Sequence, residues 1–142
     1  YHFDDIYSLI EKIFRNHLEI IEQMFEDGAS WDECSKVAID FLVDNSRAIR
    51  HMAFSMSRKQ LDRYLFVVFK RIFTEYLLDN FIVDISDEEF DDLILFYTYA
   101  VIGCIVHNFI ENNNNVDLSN LLKEFKTTLL MTNPLKASKQ TH

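Results

Sequence analysis

The sequence predicts an all-α fold, an antiparallel bundle of about six helices, and three observations carry that prediction. Its 142 residues include only 2 Gly and 1 Pro, which favours long helices with few turns over sheets, barrels or phosphate-binding glycine loops. Hydrophobic residues make up 49% and aromatic residues 14%, enough to fill the core of one domain. The apolar positions recur at the three- and four-residue spacing of helices.

Asp4 or Asp5 caps a first helix that runs to about Glu26. Ile6, Ile10, Ile13, His17, Ile21 and Met24 form one apolar stripe, and Glu11, Arg15, Glu19, Glu22 and Glu26 lie opposite. Gly28 stands where a left-handed residue closes a helix. Ser30 and Glu33 have capping-box spacing for a second helix to about Asn45, with Trp31, Cys34, Ala38, Phe41 and Leu42 on its buried side. A short third helix covers 46–54. A fourth, 58–79, places Leu61, Leu65, Val68, Phe69 and Ile72 on one side and Phe66, Phe73 and Leu77 on another. Arg63, Lys70 and Thr74 are left to solvent. Ser86 and Glu89 form a second capping box for a fifth helix over 87–112, closed by asparagines that tolerate the left-handed conformation. Val116, Asp117 and Leu121 fit a staple and cap for a sixth helix over 118–131. The domain is expected to occupy 1–133, with 134–142 a disordered tail.

The fifth helix is the element around which the rest must be arranged. It has no charged residue between Asp92 and Glu111, so nearly its whole circumference needs cover. Its uncharged apolar core, 93–106, is 14 residues, short of the ~18 of a membrane span. A buried helix of a soluble protein, with no membrane partner, is the expectation. Phe90, Ile94, Tyr97, Val101, Cys104 and Asn108 share one side, and Phe96, Ala100, Gly103, His107 and Ile110 share the opposite flank. The small Ala100 and Gly103 would admit another helix closely. That flank, with Leu118, Leu122, Phe125 and Leu129 of the sixth helix, is the expected homodimer interface.

A net charge of −9 argues against nucleic-acid binding by this chain. The charge lies in blocks: residues 1–46 carry 3 basic and 11 acidic groups, 47–74 carry 7 and 1, and 75–112 carry none and 9. The basic block receives an anion or is a solvated face balancing its neighbours, the commoner case. Cys34 and Cys104 lack metal-ligand spacing and read as reduced core residues of a cytoplasmic protein. No signal peptide is present. Tyr1, not Met, opens the chain, as expected of a fragment.

No constellation supports catalysis. The serines lack a nucleophile elbow, the cysteines lack a paired histidine motif and the carboxylates lie on polar helix faces, so no enzyme and no cofactor is expected. His107 and Glu111 have the spacing of a ligand pair, but two residues make no metal site, and none is expected. His17 sits in an apolar stripe. It is either a polar group lining a cavity or a core histidine bonded to a neighbour, the commoner outcome.

Two segments resemble the TetR family of bacterial transcription regulators. The opening YHFDDIYSLIEKIF is similar to the junction where that family's DNA-recognition helix ends in an aromatic-His-Phe signature. Ile6 stands where the family generally has a Lys. The stretch FYTYAVIGCIVHNFIENN is similar to the penultimate helix of one branch, with Ala100 where Gly is common and Phe109 where Trp is common. The resemblance implies a TetR C-terminal regulatory and dimerisation domain, with Tyr1 and His2 proximal to DNA. Operator DNA would be reached only through a helix-turn-helix domain preceding this chain. It also implies a pocket for a small hydrophobic or aromatic effector among the first, fourth and fifth helices. Phe14, His17, Tyr64, Val68, Tyr97, Val101 and Cys104 would line it, with Arg50 and His51 on its floor. The rival reading is a helical protein–protein interaction module with a filled core and no ligand.

Overall fold

The helices begin and end where the sequence places its own punctuation. The computed structural model describes residues 3–55, 58–111, 117, 119–121, 123–124, 127 and 136–138. Helix α1 (Phe3–Glu26) closes at Gly28, whose φ of 88° is reached cheaply only without a Cβ. The Gly28 amide donates to the Phe25 carbonyl and the Ala29 amide to the Met24 carbonyl, a Schellman closure. Helix α2 (Trp31–Asp44) opens with the Ser30–Glu33 capping box, both of its reciprocal bonds present at 3.2 and 2.9 Å. Helices α3 (Ser46–Ala53) and α4 (Arg58–Asn80) follow, and α5 (Asp87–Ile105) opens with the Ser86–Glu89 box. Residues 119–121, 123–124 and 127 are helical, in the span expected for the last helix.

Helix α4, rather than α5, is the centre of the bundle. It packs against α1, α2, α3 and α5. Leu61, Tyr64, Leu65, Val68, Phe69, Ile72, Phe73, Tyr76 and Leu77 are all buried, so its apolar residues lie on almost every side. The physical reason is the length of its apolar run combined with aromatic bulk, since each buried ring removes a large area from water. Helix α5 buries Ile94, Thr98, Val101 and Ile105, a face turned by about one residue from the expected one. Tyr97, Cys104 and Asn108 are only half-buried.

Helix α1 is turned in the same way. Phe14, Ile21 and Phe25 are buried, while Ile6 and Ile13, expected inside, are 40% and 44% exposed. The two phenylalanines bury more area than the isoleucines they displace.

Beyond Ile105 the backbone widens into a π-helical turn, Val106–Glu111. A π turn spaces equivalent positions five residues apart, and Ile105 and Ile110 are both buried, at 4% and 1%. Ile110, expected on the dimer flank, therefore belongs to the subunit's own core. The turn is the reason, since a straight helix would have kept it beside Gly103.

A short antiparallel ribbon completes the chain. Strand β1 (Phe81–Ile82), between α4 and α5, pairs with β2 (Lys136–Ser138). The second strand lies within the tail expected to be disordered.

Candidate effector site

The interior contact of α1 with α4 is built on aromatic rings. Phe14, His17 and Ile21 recur at three- and four-residue intervals on α1, while Tyr64 and Val68 do so on α4, so the two sets meet along the crossing. Tyr64 Oη and His17 Nδ1 are 2.8 Å apart. The His17 ring stacks on Phe41 of α2, with centroids at 3.9 Å and planes 22° apart. Phe14 meets Phe41 and Tyr64 edge-on, both at 5.3 Å. Phe41, on the buried side of α2, was not expected among the site residues. Periodicity shows which side of a helix is covered and says nothing of which helix covers it.

Burial sets the protonation of the pair. Desolvation lowers the pKa of His17 from its ordinary 6.5 and pushes that of the Tyr64 hydroxyl far up. The imidazole is thus neutral at pH 7 and the phenol un-ionised. We assign the hydroxyl as donor and Nδ1 as acceptor, which leaves the ring proton on Nε2.

Two solvent-open clefts run along α1 and α4. One, of about 170 Å³, is lined by Phe14, Leu18, Gln60, Arg63 and Tyr64 with the Glu11–Arg15 ion pair at its edge. The other, of about 320 Å³, lies beside Leu18, Ile21, Phe25, Phe66, Val68 and Lys70. Neither is lined by α5. Val68 and Val101, expected to line the pocket, are each 1% exposed and belong to the core cluster.

The remaining expected residues are spread more widely. Tyr97 and Cys104 are half-buried on α5 and line neither cleft. Arg50 is half-buried and His51 exposed on α3, which packs on α4 and the π turn. They too lie outside both clefts. Gln60 was missed on the sequence, although it stands one turn before Tyr64 and so on the same face. No group of three or more His, Cys, Asp or Glu among the described residues is placed to hold a metal ion.

The outer flank of α5 has a different character. Phe96 and Tyr99 are 68% and 61% exposed, Gly103 and His107 are exposed and Ala100 is half-buried. Phe66 of α4 extends this patch, its ring 5.4 Å from that of Tyr99. By length and composition Asp87–Asn108 is apolar enough to cross a membrane, with mean hydropathy 1.4 over its best window, of which 22% is buried. Tyr1 and His2, and Leu118, Leu122, Phe125 and Leu129, lie outside the described residues.

Comparison with known proteins names the class. Residues 29–131, from the end of α1 through the expected last helix, match the family described as transcriptional regulator C-terminal region, of the TetR type. No curated protein and no solved structure matches the chain. The match covers more than half of the sequence and agrees with the all-α architecture, so the chain belongs to the TetR-type transcriptional regulator C-terminal region family.

Proposed function

We propose that the chain is the effector-binding and dimerisation domain of a TetR-like DNA-binding regulator. Two copies pair through the outer flank of α5, and an effector held between α1 and α4 changes their relative pose. DNA half-sites lie about one helical turn, ~34–36 Å, apart, so a modest rotation of the subunits is enough to lose the operator. The observation that carries this reading is the apolar, exposed outer face of α5. A helical stretch with no charge after Asp92 and with Phe96 and Tyr99 in water is the kind of surface that marks a protein or membrane contact. The family assignment favours protein. Sedimentation of the chain at micromolar concentration is expected to give a dimer, and a monomer there would overturn the pairing.

The packed interior favours a second reading, the interaction module without a ligand. Thermal-shift screening against aromatic and lipid-like compounds separates the two. Under the effector reading some compound raises the melting temperature of the parent but not of His17→Ala. No difference between the two proteins across the screen makes His17 a core residue only.

A further inference from the structure

Phe41 is held as a bound ring would be. Its phenyl stacks on the His17 imidazole, with centroids at 3.9 Å, meets Phe14 at 5.3 Å and nearly at right angles, and lies 5.2 Å from Tyr64. These three walls come from α1 and α4 and hold one another in place. Phe14 and Tyr64 are 6% and 1% exposed and meet edge-on at 5.3 Å, while the 2.8 Å bond between Tyr64 and His17 fixes the third wall. Phe41 differs from them in two respects. It belongs to another helix, α2, and it is only partly buried, so its ring borders solvent. The backbone beneath it is pinned, because the Phe41 carbonyl accepts from the backbone and side-chain amides of Asn45 at 3.1 and 2.8 Å. The ring can therefore leave by rotation about its own side-chain bonds, with α2 intact.

We propose that Phe14, His17 and Tyr64 form a site for a planar, uncharged aromatic ring, and that Phe41 is its gate, filling the ring's place until an effector turns it out into water. The proposal rests on the effector reading and names its ligand class and its opening step. The ligand is planar because the place it takes lies face to face with the imidazole, where a flat ring stacks and a puckered one does not. It is uncharged because the walls offer no counter-charge: burial keeps the imidazole neutral at pH 7 and the phenol un-ionised. Exchanging one ring for another conserves the contacts inside the box. What opposes binding is the exposure of Phe41, so the parent's affinity is that of the open box reduced by the fraction of molecules in which the gate is open.

Benzyl alcohol and cyclohexylmethanol, similar in size and polarity but only one of them planar, test this by titration calorimetry on the 142-residue chain. The parent is expected to bind benzyl alcohol at millimolar concentration, about threefold or more tightly than cyclohexylmethanol. Phe41→Ala removes the gate and should tighten benzyl alcohol by about tenfold or more. His17→Ala should abolish the preference for the planar compound. Opening is read separately. With Trp31→Phe removing the only tryptophan, Phe41→Trp places a reporter at the gate, and its emission should shift to the red as benzyl alcohol saturates. No binding by the parent, equal affinity for the two compounds, or an emission that does not move would overturn the proposal. The parent and reporter measurements keep the test decisive if Phe41→Ala fails to fold. If compounds stabilise the chain through His17 while the reporter stays unmoved, the gate falls and the effector reading stands. If no compound stabilises it, both fall.

Discussion

His17 and Tyr64 make the core sensitive to pH. Burial lowers the folded pKa of His17 below its ordinary 6.5, so as pH falls the unfolded chain takes up the proton first. The stability from this site is therefore complete above about 6.5 and is lost as pH drops from there through the lower folded value. Urea midpoints measured at about pH 7.5 and 5.5 should fall further for the parent than for His17→Gln. Equal falls would place the pH dependence on the carboxylates instead. A second buried group has the opposite character. Thr98 is fully buried on α5 and its Oγ1 has no partner among the described residues. Replacing it by the similarly shaped valine removes an unmatched hydroxyl, so Thr98→Val should stabilise the fold by about 1 kcal/mol, read from urea unfolding. A loss of stability would mean that the hydroxyl is bonded in solution.

Among the elements, the ends were legible and the faces less so. Both capping boxes and Gly28 could be read because each is local: the side chains involved stand within a few residues of the amides and carbonyls they serve. Gly28→Ala should cost about 1–2 kcal/mol, although no described residue lies within 4 Å of the added methyl, because the left-handed backbone is the obstacle. Ser30→Ala should cost about 1 kcal/mol by losing the bond to the Glu33 amide. Chemical denaturation measures both, and a neutral Gly28→Ala would mean that the turn relaxes to another conformation. The faces depended on partners that the sequence does not name. Helix α1 carries two apolar stripes, and only packing against α4 decides for Phe14 and Phe25 over Ile6 and Ile13. On α5 the spacing of a uniform helix fails at Val106–Glu111, where one extra residue in the turn carries Ile110 inward. Of the expected site, Phe14, His17 and Tyr64 come together, whereas Tyr97 and Cys104 are on a helix that lines neither cleft. Phe41 joins the aromatic cluster through a contact between helices whose pairing periodicity leaves open.

For the molecule as a whole, the proposed pairing makes the outer flank of α5 the place where a substitution should separate assembly from folding. No described residue lies within 4 Å of a Cβ built on Gly103, so a side chain there is expected to leave the subunit's helices in place. Gly103→Leu should keep the helical circular dichroism and shift the sedimentation coefficient from dimer to monomer, since overfilling a packed contact costs about 1–3 kcal/mol. An unchanged dimer would move the interface elsewhere. The net charge of −9 makes a second prediction at this scale. Fluorescence anisotropy at about 0.15 M salt should detect no sequence-specific DNA binding by this chain, whose acidic surface repels phosphate. Specific binding would refute its role as the regulatory part of a larger reader.

The ribbon of Phe81–Ile82 with Lys136–Ser138 sets a timetable for opening. Two strands alone are marginal in water, and these two are distant in sequence, so their pairing must wait until the helices have brought them together. The ribbon thus closes last and opens first. Its amides should exchange with deuterated solvent well ahead of those of α4, whose release requires most of the core to come apart.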